Sequence, residues 1–387
     1  MSRLCDINLC TGCTACTAAC PHGCIDMVED DEGFRRPKTD AERCVGCGLC
    51  TKACPVLSAP ETNPIPAAYA AKNNTDAVRQ LSTSGGVFTL LAEHVLAQGG
   101  VVFGAVYSAD FKVEHRMAEN ADMLSSLRGA KYVQSDLSGV FCQIKEQLAR
   151  GRKVLFSGTP CQVAGLQAFL GKDEPDLLLV DLVCHGVPSP AVWERYLRQK
   201  NEQFGGGCDP SDVNLRCKDS GWSNYSVDIR WPNGKKYLAL NREDPYIRAF
   251  VGDLCLRPSC YSCSFKGLSR RADFTLGDYW GVWDQAPAMN DGRGTSIVLV
   301  HSEKAKAVWQ ELTPQMTLQT VDVCRCMEQN PAALQSAKYD SEKRSAFMHR
   351  YTGEDMALLV DELLPRPGAV CYLISRIIGK LKRLLKK

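Results

Sequence analysis

The residues of this chain best suited to chemistry are its cysteines, which number 21 among 387 residues. Eight of them repeat one arrangement, Cys10-x2-Cys13-x2-Cys16-x3-Cys20-Pro21 and Cys44-x2-Cys47-x2-Cys50-x3-Cys54-Pro55. In each copy the first three thiolates can wrap one face of an iron-sulfide cubane, while the proline ends the loop and directs the fourth thiolate elsewhere. The pattern therefore predicts eight ligands for two cubanes.

The same run is typical of bacterial ferredoxins with two [4Fe-4S] clusters, in which the fourth cysteine of each copy ligates the other cluster. The first cluster is then expected to use Cys10, Cys13, Cys16 and Cys54, and the second Cys44, Cys47, Cys50 and Cys20. Zinc is the alternative, but it prefers tetrahedral pairs of the CxxC type, so the duplicated order argues against it. Cys5 and Cys24 stand outside the pattern and are expected to hold no metal.

Composition and charge limit the classes of protein to which this chain can belong. With 45% hydrophobic residues the chain can bury a sizeable core, and its length suits two or three domains. A net charge of +2 gives no field that favours nucleic acid, which is not an expected partner. The first residues lack the charged start and apolar stretch of a secretory signal, and no run reaches transmembrane length. We expect a cytoplasmic protein whose thiols serve metal binding or catalysis rather than disulfides.

The sequence after the cysteine repeats changes character at a short linker. Residues 58–66, rich in proline and polar side chains, suit an extended connector between a domain at 1–57 and one that begins near Ala67. From there to about residue 205 helical and strand patterns alternate, with an amphipathic segment at 86–98 and buried strands at 100–107, 153–158 and 177–183. The expected fold class is α+β, a small two-cluster ferredoxin domain followed by a larger α/β domain at 67–350.

Three loops of the second domain follow strands or open helices, where ligands collect in α/β folds. The segment Ser82-Thr-Ser-Gly-Gly86 suits either a phosphate at the positive end of a helix or a simple N-cap. Two further loops, Gly158-Thr-Pro-Cys-Gln162 and Cys184-His-Gly-Val-Pro188, each place a cysteine just after a buried strand. A lone cysteine there is more often a small core residue than a ligand, so each needs support from elsewhere.

That support comes from Cys255-x4-Cys260-x2-Cys263, a run bracketed by Arg257 and Lys266 in a segment that reads as loop. Three closely spaced cysteines with a distant fourth can hold another [4Fe-4S] cluster, and Cys184 or Cys161 would complete it. Structural zinc and unligated cysteines are the alternatives. The other cysteines, Cys142, Cys208, Cys217, Cys324, Cys326 and Cys371, are expected to bind no metal.

Several of these segments together carry a family resemblance. They are the doubled cysteine motif, Ser84-Gly-Gly86, Arg128-Gly-Ala-Lys-Tyr-Val-Gln134, Gly158-Thr-Pro-Cys-Gln162, Val183-Cys-His-Gly186 and Cys260-Tyr-Ser-Cys263 through Asp273-Phe-Thr-Leu-Gly-Asp-Tyr-Trp280. From residue 1 to roughly 350 the chain resembles the beta-subunit family of coenzyme F420 hydrogenases and dehydrogenases.

The resemblance implies that the larger domain is a flavin-binding catalytic domain. Family members bind FAD, carry a [4Fe-4S] cluster in that domain, and pass electrons between a hydride carrier and iron-sulfur centres. Carried onto this sequence, Ser84, Gly85 and Gly86 would meet the FAD pyrophosphate, and Lys131 and Tyr132 would lie near the flavin. Lys131 or His185 could donate a proton, although an exposed lysine is usually a solvated charge and a histidine beside such a loop often only packs.

The end of the chain, residues 351–387, is expected to form a helical tail. From Val370 onward apolar residues recur at helical spacing, and arginines and lysines occupy the other face. Such a helix can lie on an anionic membrane surface at the inner face of a membrane, or dock on a partner. The alternative is an ordinary terminal helix packed on its own domain.

Two function classes follow from the sequence. The first is an FAD- and iron-sulfur-dependent oxidoreductase that exchanges electrons between a redox partner protein, such as reduced ferredoxin, and a small-molecule substrate. The second is a non-catalytic electron-relay subunit that serves a separate reductase. The Ser84–Gly86 and 158–162 loops favour the first class, because a pure relay needs no nucleotide site.

Overall fold

In the computed structural model of the chain, which describes residues 4–366, a small N-terminal unit packs against a larger α/β body. The small unit is a two-stranded hairpin with two short helices, and the body holds an eight-stranded sheet and a three-stranded sheet. The fold class expected from the sequence is confirmed: a small ferredoxin-like domain is followed by a larger α/β domain.

The strands of the described residues are β1 (Ile25–Glu29), β2 (Arg35–Thr39), β3 (Ala67–Asn73), β4 (Val101–Tyr107), β5 (Val113–Ala118), β6 (Val154–Ser157), β7 (Leu177–Leu182), β8 (Asp212–Cys217), β9 (Ser226–Arg230), β10 (Lys236–Leu240), β11 (Phe274–Asp278), β12 (Ser296–Val300) and β13 (Met316–Val321). The α-helices are α1 (Ala15–Ala18), α2 (Leu49–Lys52), α3 (Asp76–Leu81), α4 (Val87–Ala97), α5 (Ala121–Leu127), α6 (Val140–Ala149), α7 (Pro160–Leu170), α8 (Pro190–Lys200), α9 (Pro245–Val251), α10 (Val282–Gln285), α11 (Glu303–Leu312), α12 (Val323–Met327), α13 (Ser341–Arg350) and α14 (Met356–Leu363).

The eight-stranded sheet has the order β13-β3-β12-β11-β7-β6-β4-β5. Its centre, from β4 through β6 and β7 to β11, is parallel, and antiparallel strands extend both edges. Strands β6 and β7 read Val-Leu-Phe-Ser and Leu-Leu-Leu-Val-Asp-Leu and are almost wholly buried, because apolar helix faces cover both sides of the sheet. The carboxyl ends of β6 and β7 therefore lie side by side, and so do the loops that follow them.

Local sequence signals set the helices that leave these two strands. Helix α7 begins with a capping box between Thr159 and Gln162 and has a proline in its first turn. Helix α8 begins after Ser189, whose hydroxyl accepts a hydrogen bond from the Val192 amide. Cys161 consequently lies in the first turn of α7, and Cys184 lies between β7 and α8.

The two cysteine repeats of the small unit share one backbone conformation. Gly12 and Gly46 occupy equivalent positions and have φ of 69° and 71°. Two residues later, Thr14 and Gly48 have φ of 65° and 77° and immediately precede α1 and α2. Glycine adopts this left-handed backbone conformation most easily, which explains why both copies have glycine at the first of the two positions, Gly12 and Gly46.

The small unit shares its core with the body. Cys13, Ala15 and Ala53 are buried in the same apolar cluster as side chains of the central sheet and of α6 and α7. The hairpin turn is held as well, since both terminal guanidinium nitrogens of Arg344, Nη1 and Nη2, donate to the Glu32 carboxylate, Nη1 at 2.8 Å. The small unit is thus docked by packing and by ion pairs rather than only tethered through residues 58–66, which form no helix or strand.

The C-terminal part of the described chain packs on the body. Met356, Leu359 and Val360 of α14 are buried in a second apolar cluster with residues of α8 and α9. The basic amphipathic helix expected from Val370 onward lies outside the described residues. No helix within residues 4–366 combines the length and apolar character needed to cross a membrane.

Candidate functional site

The first thiol group comprises Cys10, Cys13, Cys16 and Cys54. Burial raises the pKa of Cys13 to about 11 and that of Cys16 to about 12, and the charges of Cys10 and Cys54 act in the same direction on both. The four side chains therefore lie close enough to interact. This is the set expected for the first cluster, with Cys54 supplied by the other repeat.

The Cys5 thiol, which was expected to hold no metal, lies at the same place. It lies close enough to the thiols of Cys10 and Cys54 to interact with both. This interaction lowers the pKa of Cys10 to about 5 and that of Cys54 to about 6. No spacing signal predicts this contact, because Cys5 precedes the repeat.

The second thiol group comprises Cys20, Cys44, Cys47 and Cys50, which line one cavity. This is the set expected for the second cluster, with Cys20 supplied by the first repeat. Cys24 lines the same cavity, and its Sγ lies 3.4 Å from Cys20 Sγ. Cys47 is exposed, so this group reaches the protein surface.

The arrangement of these thiols fits cubanes better than single metal ions. All eight cysteines are free thiols rather than disulfides. Within residues 4–366, no three His, Cys, Asp or Glu side chains converge as the ligands of one ion do. A zinc ion holds its sulfurs about 2.3 Å from one centre, whereas a cubane separates its four thiolates at different corners. The donors are accordingly suited to [4Fe-4S] clusters.

The third thiol group lies in the body and comprises Cys161, Cys184, Cys260 and Cys263. The four line one cavity, to which the loops after β6 and β7 and the short 3-10 segment Pro258–Ser262 contribute. Burial raises the pKa of Cys184 to about 11 and that of Cys260 to about 12, with the charge of Cys263 adding to both shifts. Both cysteines that the sequence offered as alternative fourth ligands are therefore present together.

Cys255, expected to be a ligand, lies elsewhere. Its side chain is fully buried in the apolar cluster that contains Trp193 and Tyr246, and burial raises its pKa to about 12. The next residue, Leu256, pairs with Pro188 in an isolated bridge. Because neighbouring side chains of an extended segment point to opposite sides, Cys255 turns into the core while Leu256 lies beside Cys260. The cavity is thus lined by Cys161 and Cys184 together with Cys260 and Cys263, whereas Cys255, which the sequence predicted as a ligand, is not among its lining residues.

His185 lies at the rim of the third thiol group. Its Nε2 is 2.7 Å from Asp253 Oδ1, and its ring meets Phe250 edge-on at 5.2 Å. Tyr132 stacks on the same Phe250 at 4.8 Å between ring centroids. The structure therefore brings two of the predicted site residues into contact with one phenylalanine.

Lys131 has a different environment from its neighbour Tyr132. Its Nζ donates to the carbonyl oxygens of Ser126 and Arg128 at 2.9 and 2.8 Å, and so caps the C-terminal end of α5. Burial lowers the pKa of Lys131 to about 7. These contacts give it a structural role that the sequence did not reveal.

The Ser84–Gly86 loop opens α4, as the sequence predicted, and Gly86 has φ of 84°. A Cβ at Gly85 would lie 2.4 Å from the carbonyl oxygen of Ala71 and 2.8 Å from the amide nitrogen of Ser296. Close approach to β3 and β12 therefore explains Gly85 without a bound phosphate. The Thr83 hydroxyl accepts a hydrogen bond from the Ala130 amide at 3.0 Å, which joins this loop to the segment that carries Lys131 and Tyr132.

A polar and aromatic cluster beside Tyr132 was missed by sequence reasoning. Arg216 donates to Asp278 at 2.7 Å and to the Tyr132 hydroxyl at 3.3 Å, and its Nε is buried without a partner among the described residues. Trp222 also donates to Asp278, at 3.0 Å, and stacks on Trp280 with ring centroids 5.0 Å apart. The signal that could have found this cluster is the Asp278-Tyr-Trp280 segment, which is part of the family resemblance.

A buried arginine links the first and third thiol groups. Arg257 donates through Nε to the carbonyl oxygen of Cys10 at 2.7 Å and through Nη1 to Gln134 at 2.9 Å. Its Nη2 lies 3.7 Å from Cys10 Sγ. Arg257 also lines the cavity of the third thiol group, together with Thr11 of the first repeat. The two groups are therefore neighbours across one side chain.

Comparison with known families gives three matches along the chain. Residues 9–57 match the 4Fe-4S dicluster domain. Residues 68–141 match the N-terminal part, and residues 151–324 the C-terminal part, of the coenzyme F420 hydrogenase/dehydrogenase beta subunit. The matched ranges contain all three thiol groups.

Among solved structures the chain is similar to one in the xenon-derivatised F420-reducing [NiFe] hydrogenase complex from Methanosarcina barkeri, at 15% identity and a TM-score of 0.46. That alignment covers 70% of this chain and 90% of the other. A likeness of this size carries no argument about function. No curated protein sequence matches the chain.

Proposed function

Since this chain belongs to the beta-subunit family of coenzyme F420 hydrogenases and dehydrogenases and carries a 4Fe-4S dicluster domain, we propose that it is an FAD- and iron-sulfur-dependent oxidoreductase. The family and the dicluster domain make it an iron-sulfur oxidoreductase or electron-transfer protein. The proposal adds three [4Fe-4S] clusters, one for each thiol group, and a flavin that exchanges hydride with a small molecule. The observation that carries it is the contact of the first and third thiol groups across Arg257 and Thr11.

Helix α7 supports the path between those two groups. Cys161 lies in its first turn, and a Cβ at Gly165 would come within 2.8 Å of Cys13 Sγ. Four residues of an α-helix span roughly 6 Å. One turn of α7 thus carries a thiol of the third group at one end and lies against a thiol of the first group at the other. So short a distance between the two groups suits the transfer of single electrons.

The second thiol group supplies the outer end of the path. Cys47 is exposed, and the apolar side chains of Val45 and Leu49 beside it are 65% and 44% exposed. An exposed apolar rim at a redox centre suits transient contact with a partner protein. We therefore assign this end to a redox partner such as reduced ferredoxin.

In this proposal the flavin would lie next to Tyr132, with its diphosphate near the Ser84–Gly86 loop. FAD supplies the conversion between one two-electron hydride transfer and two single electrons. The support on the protein side is the unpartnered buried Nε of Arg216 and the stacked Trp222 and Trp280, which offer a donor and flat apolar surfaces. Phe250 contacts both Tyr132 and His185, and His185 lies at the rim of the third thiol group.

For the proton that accompanies hydride transfer we favour His185 over Lys131. His185 stands at the cavity rim, and the Asp253 carboxylate at 2.7 Å from its Nε2 can orient the ring. Lys131 already donates to carbonyl oxygens at the end of α5. Its contribution is to hold the segment that carries Tyr132.

A relay subunit without flavin is the second candidate. It is favoured by Gly85, because packing against β3 and β12 accounts for that glycine without a nucleotide. In this alternative the three thiol groups would still conduct electrons, and hydride chemistry would take place on another protein.

The deciding experiment is to purify the full chain without oxygen and to measure iron, sulfide and flavin per chain. Three filled groups correspond to about twelve irons, and heat release followed by chromatography is expected to show FAD. Tyr132→Leu should lower flavin content at unchanged iron content, whereas the exposed Tyr339→Leu should change neither. Clusters without flavin in the wild type, with no uptake of added FAD, would establish the relay subunit instead.

A further inference from the structure

Arg257 is a cation buried without a carboxylate partner. Its side chain is fully buried, and its hydrogen-bond partners are the carbonyl oxygens of Cys10 and Arg35, the side-chain oxygen of Gln134 and the sulfur of Cys10. Among residues 4–366 no Asp or Glu forms an ion pair with it. A guanidinium stays charged in proteins, and burying a charge is costly unless an opposite charge compensates it.

The compensating charge is expected at the first thiol group. Four thiolates around a cubane leave the whole cluster negative, and Arg257 Nη2 lies 3.7 Å from the Cys10 sulfur of that group. The neighbouring Arg36 differs, because its Nε donates to Asp30 at 2.7 Å and its charge is already paired. Arg257 is thus the unpaired cation in contact with this group.

The second thiol group has a different electrostatic environment. Its cavity is lined by no lysine or arginine among the described residues. Arg43 directly precedes Cys44, but it is exposed and donates to the carbonyl oxygen of His22 at 2.8 Å. Solvent screens a charge in that position, so its effect on the cluster is small.

We propose that Arg257 is the counter-ion of the first cluster and raises the reduction potential of that cluster above the potential of the second. Net charge, hydrogen bonds to the sulfurs and solvent exposure set the potential of a [4Fe-4S] centre. Reduction adds one electron to the cluster and neither forms nor breaks a bond, so the added negative charge is stabilised where a buried cation touches the ligand sulfur. The second cluster, exposed at Cys47, has no such cation.

A difference in potential between the two clusters would set the direction of electron transfer between them. An electron that enters at the exposed second cluster would move to the first cluster, where the cation holds it next to the third thiol group. Arg257 belongs to the loop that carries Cys260, whose amide donates to the Arg257 carbonyl oxygen at 2.9 Å. The larger domain would therefore set the potential of a cluster in the small domain through a positioning residue of its own.

The inference rests on the proposed function only for the two N-terminal clusters, so it can be tested whether or not flavin and a third cluster are present. The measurement is a redox titration of the full-length protein, in which electron paramagnetic resonance follows each reduced cluster while dithionite supplies electrons. Cys47→Ser, which alters the second thiol group at its exposed edge, assigns the two signals. In the wild type the first cluster should have the more positive midpoint, and the opposite order would overturn the proposal.

The variants separate charge from packing. Arg257→Met should shift the midpoint of the first cluster to more negative potential and leave the second where it was, while Arg257→Lys should restore part of the shift. Gln134→Met removes a hydrogen-bond partner of Arg257 without changing charge, and Arg43→Gln removes an exposed arginine beside the other group. Neither control should move the first midpoint.

An unshifted first midpoint in Arg257→Met at wild-type iron content would overturn the proposal. If Arg257→Met loses its clusters, two other measurements still test the proposal. They are the order of the two midpoint potentials in the wild type and the midpoint potential of the first cluster in Arg257→Lys. Equal shifts in Gln134→Met and Arg257→Met would assign the effect to packing and reject the counter-ion. Absence of both clusters from the wild type would reject the proposed function together with this inference.

Discussion

Gly165, in the middle of α7, lies directly against Cys13 of the first thiol group: a Cβ at residue 165 would come within 2.8 Å of the Cys13 sulfur and 2.9 Å of its Cβ. Glycine in a helix costs roughly 1 kcal/mol relative to alanine. Here it allows the small domain to approach the helix that also carries Cys161. The docking of the two domains therefore depends on the absence of a side chain at this position.

The first prediction follows from this contact. Gly165→Val is expected to lower the free energy of unfolding by about 1–3 kcal/mol through overpacking and to reduce iron in the first thiol group, because a ligand sulfur fixed on a cluster has little freedom to move. Denaturant unfolding and iron analysis measure the two effects. Gly353→Ala, at a glycine with open space around it, serves as the control, and equal behaviour of the two variants would contradict the prediction.

The second prediction concerns crossed ligation in the small domain. Cys20→Ser should impair the second cluster and Cys54→Ser the first, because each side chain lies with the thiols of the other repeat. Each variant should lose up to about four irons, and electron paramagnetic resonance tells which signal disappears. Cys142→Ser changes an exposed thiol outside the groups and should lose none. Loss of the first signal in Cys20→Ser would show uncrossed ligation.

The third prediction separates the two candidate ligand sets of the larger domain. Cys161→Ser should cost about as much iron as Cys260→Ser, up to four atoms per chain, since both thiols line the cavity of the third group. Cys255→Ala should keep its iron and lose only stability, because that side chain packs with Trp193 and Tyr246. Full iron in Cys161→Ser combined with iron loss in Cys255→Ala would restore the set predicted from spacing.

The fourth prediction is a pH dependence of stability. Burial lowers the pKa of His115 to about 4, and its Nε2 lies 2.9 Å from the carbonyl oxygen of Ser157. As the pH falls from about 6.5 to about 4, the unfolded chain takes up a proton that the folded protein does not, so the folded state loses stability over that interval. The loss amounts to roughly 3 kcal/mol for this group.

His115→Gln should flatten that part of the stability profile. The profile is measured by denaturant unfolding at a series of pH values between 7 and 4. His349→Gln, at an exposed histidine of α13, should leave the wild-type slope in place. A slope unchanged in His115→Gln would mean that other groups cause the acid sensitivity.

The sequence alone determined the features that depend on neighbours along the chain. The ligand spacing of Cys10 to Cys20 and of Cys44 to Cys54 predicted a two-cluster ferredoxin domain, and residues 9–57 match a 4Fe-4S dicluster domain. The apolar runs at 100–107, 153–158 and 177–183 predicted the strands found as β4, β6 and β7. Such patterns are readable because a loop around a cubane restricts the spacing of its cysteines, and a strand buried on both faces requires a continuous apolar run.

Only the tertiary structure decided which distant residues meet. The parallel pairing of β6 with β7 places Cys161 and Cys184 side by side, and the bridge between Pro188 and Leu256 brings the loop of Cys260 and Cys263 to them. Spacing favoured Cys255 instead, because sequence distance does not tell to which side of an extended segment a side chain points. The contact of Arg257 with Cys10 joins residues 247 positions apart. No local pattern encodes it, since it forms only when the small domain docks on the body and buries both groups together.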